Sequence, residues 1–596
     1  NKWKIFKYVT NFKHMKRQQI KKQNIFQLIL TLLIIILISY ISSFVFLRFD
    51  LTSEKRYTLS NTTKEMLKEL DDVVFVKVYL EGDLPYGFKR LQKSTREMLD
   101  EFRIYAKNKL EYEFIDPSAE PKKKERYAVY DQLNNKGLKP VNLQYKEKDG
   151  KQSQKIIFPG AIVTYRNREI PLNLLQNKKG VSAENNLNNS IQALEYEFSS
   201  AIRKLTKKNE QKIAFIEGHG ELDKYETADI MNALSEFYTV KRITINAQLK
   251  SLDDFDAIVI AKPDSAVSEK DKFIIDQFIM EGGRALWLID AVKTDMDSLA
   301  YTDATLAHIN KMNLGDILFK YGARLNPVLV QDLQCAVIPV NTSVKGAKPN
   351  FAPAPWLYFP LLTPPPHHPI TKNLDMIKTE FLSTIDTVGN DPEIKKNILL
   401  YTSEYTKLVN APARISLDLL NEDPAKHQFN KAYQPVAVLL EGRFTSVFTN
   451  RIPPEIAKSE EIGFKETSKN TKMIVVADGD VIKNPVRRMG TKTYHLPLGT
   501  DKWFNEVHYS GNKDFILNCI DYLCDDSDLI YLRGKDFKIR MLDRKKTENQ
   551  RFRWQLINIA VPLLFIFLFG IAINFIRRKK YTDQHKISGS QTNQHQ

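Results

Sequence analysis

The stretch Ile213–Leu222, IAFIEGHGEL, decides how this chain is read. Ile213-Ala214-Phe215-Ile216 runs without a polar break, as a strand does when both faces of its sheet are covered. It opens into Glu217-Gly218-His219-Gly220-Glu221, a turn with two glycines, a histidine and two carboxylates. Downstream, YETADIMNALSEF reads as a helix, and TVKRITI and FDAIVIA (Phe255–Ala261) as strands. SEKDKFIIDQFIMEGG then reads as a helix closed by Gly282-Gly283, and RALWLID (Arg284–Asp290) as the next strand. Apolar strands alternating with helices define a doubly wound, flavodoxin-like parallel sheet.

Upstream of this sheet, Leu187, Ile191, Leu194, Phe198, Ile202 and Leu205 recur at helical spacing, giving a long amphipathic helix over Ala183–Lys208. It reads as a lead-in, so the doubly wound domain is assigned residues 183–300. Residues 48–182 form a smaller α/β domain, with thioredoxin-like architecture as one option. Ser60 caps a first helix, and VVFVKVYL (Val73–Leu80) and LEYEFIDP (Leu110–Pro117) are strands around a helix bearing Leu91, Met98 and Phe102. A helix near Arg126–Leu133 and a hairpin-like AIVTYRNREIPL (Ala161–Leu172) complete it. A thioredoxin-type redox site needs Cys-x-x-Cys, and no cysteine precedes Cys335.

Residues 301–550 read as a second α/β region, open to interpretation as a degenerate copy of the first. AVLLEGRF (Ala437–Phe444) and KMIVVADGDVIKN (Lys472–Asn484) supply strands, and NKDFILNCIDYLC (Asn512–Cys524) a helix. PLLTPPPHHPI (Pro360–Ile370) is a proline-rich loop in which His367-His368 is a surface or packing element.

Two uncharged stretches bracket this body: Phe26–Leu47 and Trp554–Ile576. At about 1.5 Å per residue each is long enough to cross a bilayer core of about 30 Å. A cleaved signal peptide fits the first poorly, because its apolar run is too long and no A-x-A-like site follows. The chain carries a formal net charge of +17, but residues 1–24 hold eight Lys/Arg without an acid and residues 577–596 five Lys/Arg with one acid. The charge thus lies in two tails beside apolar stretches. That points to a membrane and away from nucleic acid, which would need it on the folded body. Basic flanks stay cytoplasmic. Residues 1–25 and 577–596 are therefore expected as cytoplasmic tails, 26–47 and 554–576 as transmembrane helices, and the body outside an inner membrane, in the periplasm of a Gram-negative cell.

In an open α/β sheet, ligands bind beyond the carboxyl ends of the strands. Glu217, His219 and Glu221 lie in such a place, as do Asp478 and Asp480, Lys262-Pro263-Asp264 and Asp290. His219 with Glu217, Glu221 and Asp223 could make a mixed metal site, and Asp478-Gly479-Asp480 could hold Mg²⁺, but lone Asp-x-Asp turns are frequent. No second histidine stands at ligand spacing, so neither metal nor cofactor is expected. Ser265 lacks the glycine-flanked elbow of a nucleophile, no Walker sequence occurs, and Cys335, Cys519 and Cys524 read as buried free thiols. The structural reading of EGHGEL is a sharp turn with Glu221 or Asp223 capping the next helix. The functional reading is a ligand- or partner-binding edge made by Glu217, His219, Glu221, Asp478 and Asp480.

Several motifs, in order, carry a resemblance: RFDLTSEKRYTLS directly after the first apolar stretch, EFIDP, FPGAIVTY, KIAFIEGHGEL, FIMEGGRALWLID, KMIVVADGDVIKN, GNKDFILNCIDYL and the final single helix. Together they resemble the auxiliary subunits of gliding-motility-associated ABC transporters of Bacteroidota, with an ABC-transporter auxiliary domain at the centre. The resemblance covers nearly the whole chain. It implies an amidotransferase-like fold without the catalytic Cys and His. It also implies a non-catalytic role beside a multi-span permease and a cytoplasmic ATPase, and it supplies no catalytic residues. The rival reading is a membrane-tethered hydrolase or metal-dependent enzyme using the His219 loop. A third is an envelope scaffold.

Overall fold

A computed structural model describes residues 25–40, 58–146, 152–176, 182–207, 211–302, 304–343, 348–421, 424–460, 462–490, 492–504, 506–525 and 544–590. The chain divides into two compact units, residues 1–535 and 536–596. It is a mixed α/β protein with several sheets.

The largest sheet has seven strands: β1 (Lys212–Glu217), β2 (Thr239–Thr244), β3 (Ala257–Ala261), β4 (Arg284–Leu288), β5 (Ile394–Tyr401), β6 (Pro435–Gly442) and β7 (Thr471–Val476). Their order is β2-β1-β3-β4-β7-β6-β5. The first five run parallel; β6 pairs antiparallel to β7 and β5 antiparallel to β6 at one edge. From β1 the chain goes outward to β2 and then returns to the other side of β1 for β3. That reversal is a topological switch point, the place where such sheets form a crevice.

β1, β3, β4 and β7 are buried on both faces, and their residues alternate between two cores, whereas β2 at the edge is only half-buried. Ile213, Phe215, Val259, Leu286 and Ile474 face one core, which is covered by helices α1 (Ala228–Ser235) and α3 (Ser510–Cys524). Ala214, Ile216, Ile258, Trp287 and Val475 face the other, covered by α2 (Glu269–Met280) and the short helix Gly315–Tyr321. The strand β7 (Thr471–Val476), expected in a separate second α/β region, pairs instead with β4 of the first, Leu286 opposite Ile474. A run of apolar residues is identical for one long sheet or two short ones, so the sequence cannot show this sharing.

A four-stranded sheet precedes it. Val74–Val78 is central, parallel to Leu110–Phe114 and antiparallel to Gly160–Tyr165, which pairs with Arg168–Asn173. Ser60 caps helix Asn61–Lys68 by accepting from the Thr63 N–H at 3.1 Å. The helix Ala183–Thr206 places Leu187, Leu194, Phe198, Ile202 and Leu205 in the core of this smaller sheet, and only Tyr196 reaches the core of the larger one. Its amphipathic stripe was legible, but not the sheet it covers.

Pro360–Leu362, read as loop, ends the strand Phe351–Leu362. Pro353, Pro355 and Pro360 all stand opposite residues of Cys335–Asn341, and among the described residues the strand's other edge pairs only at Leu361 and Leu362, an edge setting in which proline is tolerated.

Among the described residues, one helix is long and apolar enough to cross a membrane: Asn549–Ile576, within the continuous helix Arg544–Ser590. The other expected span appears as the apolar helix Ile25–Tyr40, shorter than the about 20 residues a crossing takes. Residues 41–47 of that expected span lie outside the described ones.

Candidate functional site

The sequence candidates do lie at the carboxyl ends of the parallel strands, in two clusters, each built around one cation. The first follows β1. Gly218 and Gly220 take φ of +115° and +77°, backbone that other residues adopt at a cost. They fold the turn so tightly that Glu221 reaches back to His219. Glu221 Oε2 accepts from the His219 N–H at 2.7 Å, and its Oε1 lies 3.0 Å from Nδ1. On the other side of the ring, Nε2 is 3.1 Å from Oδ2 of Asp271 on α2. The imidazole is buried, with its side chain 7% exposed. The Glu221 hydrogen bond raises its pKa most; burial opposes this, and Asp271 adds to the rise. His219 is therefore held at both nitrogens by carboxylates that favour its protonated form, with no nitrogen left for a metal or a substrate proton.

Glu217, the residue before Gly218, is paired with Arg242 of β2, whose guanidinium also donates to Thr227 Oγ1 at 2.8 Å and to the Leu222 carbonyl at 2.5 Å. Glu221 caps no helix. Asp223 instead accepts from the Tyr225 and Glu226 N–H groups, at 2.7 and 2.9 Å, and so shapes the turn leading into α1.

This loop also fills the switch-point crevice. The Leu222 N–H donates to the Ala261 carbonyl at the end of β3, and the His219 carbonyl accepts from the N–H groups of Asp264 and Ser265 at 3.0 and 2.9 Å. A Cβ at Gly220 would stand 3.0 Å from Asp264 Cβ. The protein's own backbone thus occupies the position where sheets of this order receive ligands.

The second cluster spans the ends of β3, β4 and β7. Carboxylate oxygens of Asp290, Asp478 and Asp480 lie within 4.8 Å of one another. Such a trio can ligate a divalent ion, but it surrounds a cation already. Lys262 Nζ pairs with Asp480 and is 3.1 Å from Asp290. Asp290 also accepts from the Gly479 N–H at 2.6 Å, and Asp478 from those of Asp480 and Glu380 at 2.6 and 2.8 Å. Burial pushes the Asp478 carboxyl well above the usual range, and Asp480 and Asp290 push the same way. Burial also opposes ionisation of Asp480, but Lys262 and Lys483 overcome it and hold that group low. Burial raises Asp290 as well, against the pull of Lys262, so three carboxyls of unequal acidity share one ammonium.

Lys262 has φ of +57° directly after a strand, as a nucleophile on a strand-to-turn elbow does. Burial lowers its pKa, but Asp290 and Asp480 more than reverse that. A protonated amine has no lone pair with which to attack. A Cβ at Gly479 would come within 2.5 Å of Lys262 Cβ, so the Asp478–Asp480 turn closes over the lysine only because glycine is there.

Sequence reasoning missed Asp271, Arg242 and the role of Lys262. Asp271 had a signal: Ser268-x-x-Asp271 is a helix-start pattern, and Ser268 Oγ accepts from the Asp271 N–H at 3.1 Å. Lys262 had none, since it meets Asp290 and Asp480 only across the assembled sheet. His368 is a packing element, beside Tyr522 at 5.2 Å between ring centroids, with burial pushing its pKa down to about 4. Cys519 and Cys524 are buried and free; burial pushes Cys524 up to about 12, which leaves it a neutral thiol.

The architecture is a doubly wound sheet whose ligand end is sealed by its own ion pairs. The family model for the ABC-type uncharacterized transport system matches residues 210–519, and this chain belongs to that family. Its role there is accessory to a transport system, in association with ABC transporter components. A domain of unknown function (DUF7088) matches residues 53–164. An uncharacterized protein of Borreliella burgdorferi (strain ATCC 35210 / DSM 4680 / CIP 102532 / B31) is similar at 20% identity, over 94% of this chain and 99% of that protein. Among solved structures, the mmIFT52 N-terminal domain aligns at 12% identity and a TM-score of 0.30, over 53% of this chain and 99% of that one.

Proposed function

We propose that this protein is a non-catalytic accessory subunit of an ABC transporter complex, anchored in a bacterial inner membrane by two helices. Both tails are cytoplasmic and the body is periplasmic. Its partners are a permease subunit and a cytoplasmic ATPase subunit, and the complex serves gliding motility. The family match over residues 210–519 carries this reading. The sealed sheet end supports its non-catalytic part, because His219 and Lys262, the groups an enzyme would use there, are both committed to carboxylates. Anchoring is supported by helix Asn549–Ile576, the Arg577-Arg578-Lys579-Lys580 flank and the uncharged sequence through Leu47.

On this reading residues 48–182 are a thioredoxin-like unit without redox chemistry, and 183–300 and 301–550 together build the part that meets partners. Glu217, His219, Glu221, Asp478 and Asp480 set the shape of that surface. The test is purification of the tagged full chain from detergent-solubilised membranes, followed by mass spectrometry. A permease and an ATPase should be recovered in stable ratio; their absence would sink the proposal. Loss of transport or gliding in His219→Ala at unchanged protein level would instead favour an enzyme.

A further inference from the structure

The sheet's carboxyl end is closed where its crevice lies, but one element projects from it. After β7 the chain forms a hairpin, Val486–Met489 against Lys492–His495, with Arg487 opposite Tyr494 and Met489 opposite Lys492. The base is pinned to the turn before α1. Asn484 Nδ2 donates to the Tyr225 carbonyl at 2.7 Å, the Asn484 N–H to the Glu226 carbonyl at 2.8 Å, and the Leu498 N–H to Asp229 Oδ2 at 2.9 Å. Directly opposed residues of an antiparallel pair share a face. One face therefore holds Arg487, Met489, Lys492 and Tyr494, and the other Arg488 and His495. All six are exposed, Met489 by 71% and Tyr494 by 48%. Between Val486 and His495 there are three Lys/Arg and no Asp or Glu, so the finger carries no acid of its own to neutralise it; Lys483 at its base is already paired with Glu226 and Asp480.

We propose that this hairpin is a docking finger for an acidic face of a protein subunit of the transport system. The inference rests on the multi-subunit reading above. Arg, Tyr and Met are the residue types enriched where proteins meet proteins. A membrane-seeking element instead needs a broad apolar face of Trp, Phe or Leu opposite its cations, and here the apolar part is one methionine and one tyrosine. The acid-free charge fixes the sign of the partner and speeds encounter. The pinned base holds the finger in place before contact, which lowers the ordering cost of docking.

The test places a photoreactive benzophenone amino acid at Met489 of the full chain, in native membranes, and identifies the adducts by mass spectrometry. The expected adduct is with a protein subunit of the transporter. It should fall about tenfold in Arg488→Glu/Lys492→Glu and weaken as salt screens the charges. The variant's melting temperature should match the parent's, since both residues are exposed. Adducts with lipid alone, no protein adduct, or a protein adduct indifferent to charge reversal would overturn the finger. Affinity purification from the same membranes separates the two ideas: transporter subunits recovered without an adduct reject the finger only, whereas no subunits recovered rejects both.

Discussion

Two clusters at the same end of one sheet neutralise a buried cation with carboxylates, yet they differ in what the cation is. Around His219 the positive charge is conditional: imidazole can shed its proton within the pH range cells meet, although Glu221 and Asp271 favour keeping it. Around Lys262 it is permanent at any pH the cell meets, and Asp290 and Asp480 reinforce it. The difference shows that similar polar constellations fasten the protein with unequal strength. The His219 clamp closes a loop over a crevice. The Lys262 cluster joins the ends of three strands, including β7, which arrives some 190 residues after β4.

The sharpest break of this comparison is Lys262→Met. It strands ionised carboxylates among buried groups, and the expected loss is about 3–5 kcal/mol, the usual cost of removing one partner of a buried pair. Thermal melting of the detergent-purified full chain checks it, and adding Asp480→Asn should restore part of the loss. His219→Ala should cost less, about 1–3 kcal/mol, because Glu221 and Asp271 lose a hydrogen-bonded partner.

The clamp's pH dependence has a defined sign. His219 has a raised pKa when folded, so its contribution is complete below the unfolded value and is lost as pH rises through the folded one. Burial opposes ionisation of Asp271, but the Ala247 N–H, His219 and Ser268 hold its pKa low. Its contribution is present above the unfolded carboxylate value and is lost as pH falls through the folded one. The melting gap between parent and His219→Ala should therefore be widest between those limits and shrink toward alkaline pH. For Lys262→Met the gap should persist there.

Two smaller substitutions sharpen the His219 side alone. Gly220→Ala forces a side chain into φ of +77° beside Asp264, and should cost about 1–2 kcal/mol. Asp223→Ala removes the acceptor of two turn N–H groups and should cost about 1 kcal/mol, as lost caps do. Chemical denaturation of the same preparation reads both, and neither should alter recovery of partner subunits.

The elements of the sheet were legible because apolar runs, glycine stops and helical spacing are local signals. β1, β3, β4 and β7 all stand within the stretches that read as strands, and Ser60 and Ser268 cap the helices they precede. The placement of candidate residues at strand ends was legible for the same reason. Their use was not. EGHGEL displays a histidine and two acids, the ingredients of a site, and nothing local says that Asp271 will take the free nitrogen or that Leu222 will bond across β3.

By itself the sequence determined an α/β body of parallel strands, an apolar C-terminal helix long enough for a bilayer, and three cysteines with neither a Walker pattern nor a Cys-x-x-Cys. Periodicity, length and residue type are properties of neighbours along the chain. Only the tertiary structure decided that residues 212–288 and 394–476 share one sheet, that the switch-point crevice is filled, and that Lys262 stands where a metal ion would. Those outcomes depend on groups brought together across dozens to hundreds of residues, and burial there makes each charge select a partner that the sequence does not place beside it.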